Sequence, residues 1–149
     1  LLEFSKNAQI ILASHSPLLV KQLSFNENVK ISVLESDGQQ VSEIEKRVLS
    51  YISANETNFL AFNLATEEYH NELFEELKFI NGDDKSVKDF DNDFFVTAKG
   101  ETKNSPWKGS QNEVSEHTFI RNQIHHQKEN GKTEYSILKA SIEKMRGFF

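Results

Sequence analysis

Apolar residues are spaced in two ways along this chain, and the first way is typical of strands. Residues 8–14 form a nearly continuous apolar run, as expected of a strand buried on both faces. Ser16 then suits the N-cap of a short helix over residues 17–23, with proline in its first turn. Residues 29–34 alternate in polarity and predict a second strand, with residues 40–44 as its hairpin partner.

The second spacing is helical and begins at about residue 57. Residues 57–80 predict one amphipathic helix, and residues 113–125 predict another. A last helix begins near residue 133, and the polar residues from about 83 to 112 predict a flexible loop. The helix predicted over residues 57–80 has one apolar stripe that would face the core. Its members are Phe59, Phe62, Tyr69, Leu73, Leu77 and Ile80.

These patterns predict an α+β chain in two parts. Residues 1–50 carry a short α/β segment, and residues 51–149 carry a mainly α-helical bundle. The chain starts with apolar residues of helical character and has no initiator methionine. We therefore expect it to be a fragment whose N-terminal part lies elsewhere.

Composition excludes several kinds of chemistry. The 149 residues include no cysteine, which excludes a disulfide framework, a thiolate zinc site and a cysteine nucleophile. No apolar run approaches the roughly 18 residues that a membrane helix requires. We expect a soluble, cytoplasmic protein without a membrane partner.

The net charge of -6 is unevenly distributed. Residues 36–116 carry eight basic and seventeen acidic residues, whereas residues 117–149 carry six basic and three acidic residues. The basic C-terminal region would attract a polyanion modestly, because each phosphate contact needs a nearby cation. An ordinary solvated helix face shows the same imbalance, so charge alone leaves both interpretations open.

The first predicted strand is followed by a histidine, His15. Ligand-binding groups in α/β sheets lie at the carboxyl ends of buried strands. The segment QIILASHSP, residues 9–17, resembles the switch-histidine segment, or H-loop, of ABC-type ATPases, especially overcoming-lysogenization-defect nucleases and related phage-defence ATPases. The resemblance implies that His15 contacts the γ-phosphate of ATP, with Ser16 beside it and Mg²⁺ present in the complete protein. The alternative is a histidine that only caps the following helix.

This resemblance covers only about the first 35 residues. The chain has no GxxxxGK[S/T] phosphate loop and no strand that ends in Asp-Glu to hold magnesium. Both would lie upstream of His15. We expect residues 1–50 to be the C-terminal end of an ATPase domain that pairs with an upstream ATPase portion. This chain alone would then bind no cofactor and hydrolyse no ATP.

A second motif, RNQIHH, occupies residues 121–126 at the end of a predicted helix. Arginine binds phosphate with two parallel hydrogen bonds, and histidine can move a proton to or from a ribose 2′-OH near neutral pH. Together they suit metal-independent RNA cleavage, in which the 2′-OH attacks the adjacent phosphate and leaves a cyclic phosphate. The alternative is that Arg121 pairs with an acid such as Glu116 or one of Glu67–Glu76, with the histidines solvated.

The hexamer resembles the Arg-polar-x-x-x-His signature of HEPN domains, which are helical bundles of many RNase toxins and defence proteins. The resemblance implies that Arg121 clamps the phosphate, that His126 is the general base or acid, and that Asn122 orients one of them. His125 is the competing choice for the histidine. It also implies an RNA substrate and a homodimer in which two such motifs face each other. ATPase–HEPN fusions occur in phage defence, so the two resemblances are mutually consistent.

Acidic residues precede His70 in the middle helix. Glu67 or Glu68 would support Arg121 if the two helices pack together, although exposed glutamates of an amphipathic helix have the same pattern. Glu67 and His70 have the spacing of metal ligands, but no second acid-rich motif completes the set. We therefore predict no metal.

Two functions remain open. The helical region is either a metal-independent RNase gated by an ATPase, or a catalytically silent module that dimerises or recruits a separate effector nuclease. The RNase requires Arg121 and His126 to converge in an exposed cleft or on a dimer face. The silent module predicts that they point apart or form salt bridges. The acidic middle region mildly favours the silent module.

Overall fold

A computed structural model describes residues 12–23, 32–34, 41–43, 47–107, 112–126 and 131–149. Over these ranges the chain is a helix-rich α+β protein, as predicted. The strands are β1 Ser32–Leu34, β2 Val41–Glu43, β3 Ser105–Pro106 and β4 Glu113–Val114. The α-helices are α1 Pro17–Leu23, α2 Ala54–Phe62, α3 Glu67–Gly82, α4 Val87–Phe90, α5 Glu116–His125 and α6 Tyr135–Arg146, and a π-helix, Asp91–Ala98, continues α4.

The N-terminal segment contains the predicted short helix but not the predicted strand ahead of it. Ser16 caps α1, because its Oγ accepts the Leu19 N–H at 3.3 Å. Residues 12–14 are exposed and lie in no strand, so the prediction of a buried strand is wrong there. No strand in the described ranges pairs with them, which leaves their apolar side chains without a sheet to cover. Residues 8–11 lie outside the described ranges.

The predicted hairpin is confirmed for the residues that the structure describes. β1 and β2 pair antiparallel, with Ser32 opposite Glu43 and Leu34 opposite Val41. A second, two-residue antiparallel ladder joins β3 to β4. β4 therefore takes the first two residues of the segment predicted as one helix over 113–125, and α5 begins after Ser115.

The helix predicted over residues 57–80 is two helices, so the prediction of one element is wrong. α2 ends at Asn63, which adopts a left-handed conformation with φ of 54°. Asparagine tolerates this conformation better than most residues. Thr66 then begins α3, because its side chain accepts the Tyr69 N–H at 3.1 Å. The C-cap at Asn63 and the N-cap at Thr66 therefore divide the segment into two helices, although the apolar spacing continues across it.

The predicted loop over residues 83–112 is wrong for residues 87–98, which are helical. Phe90, Phe94 and Phe95 point into the core and are buried. The rings of Phe90 and Phe95 lie 5.7 and 5.6 Å from the ring of Phe74 on α3. A π-helix bonds residues five apart, so it places Phe90 and Phe95 on one side. Phe90 and the short apolar run 94–96 stand between polar stretches of the sequence, which is why the sequence predicted a loop here.

α3 lies at the centre of the packing, with α2, α4, α5 and α6 against it. Tyr69, Leu73 and Leu77 of the predicted stripe are buried, while Ile80 near its end is exposed. The stripe predicted for α6 is buried at Leu138, Ile142 and Met145, whereas its first member, Ile137, is exposed. The core therefore forms from the side of α3 that faces the other helices and leaves its opposite side in solvent.

Candidate functional site

α5 carries the second sequence motif and packs directly against α3. Arg121 and His125 are four residues apart, so they lie on the same side of α5. Arg121 Nη2 donates to Glu75 Oε1 at 3.3 Å, and His125 Nε2 lies 3.0 Å from Asn71 Oδ1. Asn71 and Glu75 are likewise four residues apart on α3. We call these four residues the Arg121–His125 cluster.

The first turn of α5 is held in place by hydrogen bonds, and its position determines where the last turn, which carries the motif, lies. Ser115 caps the helix by accepting the Thr118 N–H. Ser115 is itself held by Asp91 of the π-helix, whose Oδ1 accepts the Ser115 hydroxyl at 2.5 Å. The π-helix that the sequence prediction missed therefore anchors the helix that carries the motif.

Arg121 is held on two sides. Its guanidinium carbon lies 5.9 Å from the centroid of the Phe74 ring, within the range of a cation–π contact. Its side chain is 20% exposed, and that of Glu75 is 48% exposed. The Nε atom of Arg121 is buried and has no hydrogen-bond partner among the described residues. The guanidinium is therefore fixed at the surface, where an incoming phosphate would compete with Glu75.

His125 is suited to accept a proton. Asn71 Oδ1 accepts from Nε2, which leaves Nδ1 as the basic nitrogen of the neutral ring. Partial burial lowers the pKa of His125 below its usual 6.5, and the Arg121 charge lowers it further, while Glu75 opposes this. The imidazole is therefore neutral at pH 7, the state that a general base requires.

His126 lies at the C-cap of α5 and is exposed. Its backbone N–H donates to the Asn122 carbonyl at 2.9 Å. Successive helical positions point about 100° apart, so His126 projects in a different direction from His125. The structure brings His125, the competing choice of the sequence analysis, to the side of α5 that holds Arg121.

Asn122 is not joined to the other motif residues through its side chain. It is 1% exposed, and neither its Oδ1 nor its Nδ2 has a hydrogen-bond partner in the described part of the chain. Apart from the backbone bond of its carbonyl to His126, it has no hydrogen bond to the motif residues there, and its side chain has none. The structure therefore offers no contact through which Asn122 would orient them.

The acid that meets Arg121 is Glu75, and neither Glu67, Glu68 nor Glu116 forms an ion pair with it in the structure. Glu75 is one of the acids from Glu67 to Glu76 that the sequence analysis named as alternative partners of Arg121, so that alternative is confirmed for the ion pair. The choice of Glu75 within that range, and the contact of His125 with Asn71, were not predicted. The available signal was the four-residue spacing of Asn71 and Glu75 on α3, matched to the spacing of Arg121 and His125.

His15 and Ser16 lie ahead of α1 and are exposed. The Ser16 hydroxyl caps α1, and the Ser16 backbone N–H donates to Ser14 Oγ at 3.0 Å. The side chain that caps α1 is therefore that of Ser16, as predicted, and not that of His15, which is exposed.

Comparisons with protein-family models, with curated proteins and with solved structures find no match for this chain. Its functional assignment therefore depends on the chemistry of its own residues.

The outer face of α3 is strongly acidic. An open cavity of about 660 Å³ lies along it, and we call this cavity the α3 groove. Among the described residues, no group of three or more His, Cys, Asp or Glu side chains is arranged to hold a metal ion. Nor does any helix in those ranges have the length and apolarity to cross a membrane. The carboxylates that line the groove are Glu68, Glu72, Glu75, Glu76 and Asp83.

Proposed function

We propose that residues 51–149 form a HEPN-type, metal-independent endoribonuclease domain. It follows the C-terminal end of an ABC-type ATPase domain in residues 1–50 and acts in anti-phage defence. ATP with Mg²⁺ would bind the complete protein, and the helical region would act as a homodimer. The observation that carries the proposal is the Arg121–His125 cluster, which holds a phosphate-binding cation and a neutral imidazole one helical turn apart at the surface.

The chemistry needs a base, an acid and a cation. A neutral imidazole removes the proton from a ribose 2′-OH, and the 2′-oxygen attacks the adjacent phosphorus. The bond to the 5′-oxygen breaks, that oxygen takes up a proton, and a 2′,3′-cyclic phosphate remains. Arg121 stabilises the charge that develops on the phosphate oxygens. His125 and His126 are the two candidates for proton transfer, and the contact with Asn71 favours His125 as the base.

The ATPase part of the proposal relies on the His-Ser-Pro segment. In the complete protein His15, which is exposed, would face the γ-phosphate of ATP, and Ser16 would keep its capping role. A histidine at that position contributes to charge stabilisation in phosphoryl transfer.

A silent helical module is the second candidate function, and the Arg121–Glu75 ion pair favours it. An arginine already paired with a carboxylate, beside an acidic groove, is a weak phosphate ligand until that carboxylate is displaced. Such a module would dimerise or recruit a separate effector nuclease.

RNA cleavage by the complete protein distinguishes the two. The assay compares wild type with Arg121→Ala, His125→Ala and His126→Ala in EDTA, which removes contaminating metal-dependent nucleases. We expect at least about a hundred-fold loss in Arg121→Ala and in one histidine variant. Lys88→Ala is the control, because it removes an exposed cation on α4, a helix that carries no residue of the cluster.

Equal activity in all variants, or activity in none including wild type, would reject the nuclease and favour the silent module. A loss in Lys88→Ala as large as in Arg121→Ala would indicate that general charge, and not the cluster, governs RNA cleavage.

A further inference from the structure

The α3 groove lies between α3 and residues 51–55 and carries one sign of charge. Among the described residues, five carboxylates line it and no Lys, Arg or His does. They extend from Glu68 to Asp83, which is about 22 Å along the helix at 1.5 Å per residue. Carboxylates spread over four turns are too far apart to converge on one metal ion. They match a ligand that carries several positive charges along its length.

The groove is also partly apolar. Tyr51 is 46% exposed and lines the groove, as does Phe79 of α3, which is 65% exposed. Ile80, the next residue, is exposed as well. Large apolar side chains that stay in solvent next to one another mark interaction surfaces more often than scattered single residues do.

One edge of the groove already shows how a cation is held there. Glu75 lines the groove and accepts from Arg121, whose guanidinium also lies against the Phe74 ring. A carboxylate and an aromatic ring together bind this guanidinium. The other lining carboxylates form no ion pair within the described part of the chain. Neutral groups bond two of them: Glu72 accepts from Ser53 and Asn55, and Glu76 accepts from Ser50. With the rings of Tyr51 and Phe79, these carboxylates present the same two kinds of group to a cation.

We propose that the α3 groove binds a basic amphipathic segment of a partner protein. Its Lys or Arg side chains pair with the groove carboxylates, and its apolar side covers Tyr51 and Phe79. This is the helix-in-groove mode of recognition, with charge complementarity that selects the partner. Glu75 belongs both to the α3 groove and to the Arg121–His125 cluster. A partner cation that pairs with Glu75 therefore competes with Arg121 for this carboxylate. The binding itself does not depend on the nuclease activity proposed above.

A short fluorescein-labelled amphipathic peptide of Lys and Leu is the probe, titrated with the 149-residue chain by fluorescence anisotropy. We expect saturable binding that weakens as NaCl is added, since exposed ion pairs are screened. The double variant Glu68→Gln/Glu76→Gln is expected to weaken it about ten-fold. The matched control is Asp84→Asn/Glu113→Gln, which makes the same charge change at exposed acids outside the groove.

A second pair of variants tests whether the exposed apolar side chains of the α3 groove contribute to peptide binding. Phe79→Ala is expected to weaken peptide binding several-fold, and Ile137→Ala, an exposed apolar residue of α6, is expected to leave it unchanged. Circular dichroism confirms that each variant is folded. No saturable binding, equal losses in groove and control variants, or equal binding of a Glu/Leu peptide would each overturn the proposal.

Discussion

Arg121 of α5 donates to Glu75 of α3 across 3.3 Å, and this ion pair joins the Arg121–His126 motif to the acidic face of α3. The contact has two consequences. It fixes the guanidinium beside His125, and it occupies the group that a phosphate would bind. Glu75 therefore positions the Arg121 guanidinium and also competes with a phosphate for it.

Glu75→Gln removes the negative charge and keeps the shape of the side chain. We expect RNA cleavage by the complete protein to rise several-fold, because phosphate then competes with a neutral amide. Stability should fall by less than about 1 kcal/mol, since the pair is partly exposed. Cleavage assays and urea denaturation measure the two effects, with Glu113→Gln as the control. A fall in cleavage would mean that positioning by Glu75 outweighs its competition with phosphate.

The pKa of His125 responds to the same substitution. Glu75 opposes the lowering of this pKa by burial and by Arg121, so Glu75→Gln should lower it further. Arg121→Ala should move it in the opposite direction, because a positive neighbour is removed. NMR titration of the ring protons in the two variants measures both shifts. Shifts of the same sign in both would contradict the electrostatic account.

Two buried histidines should make stability depend on pH. Ser141 Oγ lies 2.9 Å from His70 Nε2 and 2.7 Å from His117 Nδ1. Burial lowers the pKa of His70 to about 3 and that of His117 to about 4. From pH 6.5 down to those values the unfolded chain binds more protons than the folded one, so the free energy of unfolding falls as the pH falls. Each histidine contributes about 1.4 kcal/mol per pH unit.

Urea denaturation at a series of pH values between neutral and about pH 4 measures this slope. His70→Asn should reduce it, because one titrating group is removed. His15→Gln is the matched control, since His15 is exposed and its replacement should leave the slope unchanged. A slope that is unaffected by His70→Asn would show that carboxylates, not these histidines, cause the acid sensitivity.

A buried ion pair joins the ends of the helical region. Arg146 Nη1 donates to Glu56 Oε1 at 2.8 Å, and Glu56 also accepts from Tyr69 and from the Val48 N–H. Arg146→Ala leaves a buried carboxylate without its cation, so we expect a loss of about 3–5 kcal/mol. Glu56→Gln in the same chain should recover part of that loss. Urea denaturation of the single and double variants tests this, and purely additive losses would contradict it.

The helical state of residues 87–98 predicts a large effect at a phenylalanine. Phe95→Ala should destabilise the protein by about 3–5 kcal/mol, because the ring packs against Phe74 and Phe90 in the core. Phe79→Ala removes an equal ring at an exposed position and should cost little. Thermal or urea denaturation of the two variants measures the difference. Similar small losses in both would indicate a loop over these residues.

Sequence patterns predicted the elements whose apolar residues follow one period. The amphipathic stripes of α3 and α6, the β1–β2 hairpin and the Ser16 cap are examples. The break at Asn63 was not predicted, because the apolar spacing continues across it and only capping distinguishes the two helices. The π-helix was not predicted either, because its phenylalanines stand among polar residues and are buried by packing against Phe74 of α3, which the local pattern does not contain.

The candidate site was only half predicted. The motif identified Arg121 and two histidines and preferred His126 as general base or acid, with His125 as the competing choice; the structure places His125 on the side of α5 that holds Arg121. Whether the imidazole of His125 or that of His126 contacts α3 depends on the rotation of α5 about its own axis. That rotation is set by Ser115, Asp91 and the core, none of which belongs to the motif.

The central claim is that the 2′-OH of RNA is the nucleophile and that Arg121 binds the phosphate. The most direct measurement is end-group analysis of the products formed by the complete protein in EDTA, from an RNA and from its 2′-deoxy counterpart. The account predicts 2′,3′-cyclic phosphate ends from the RNA, no cleavage of the deoxy substrate, and loss of the cyclic ends in Arg121→Ala. Cleavage of both substrates, or linear 3′-hydroxyl ends from the RNA, would contradict it.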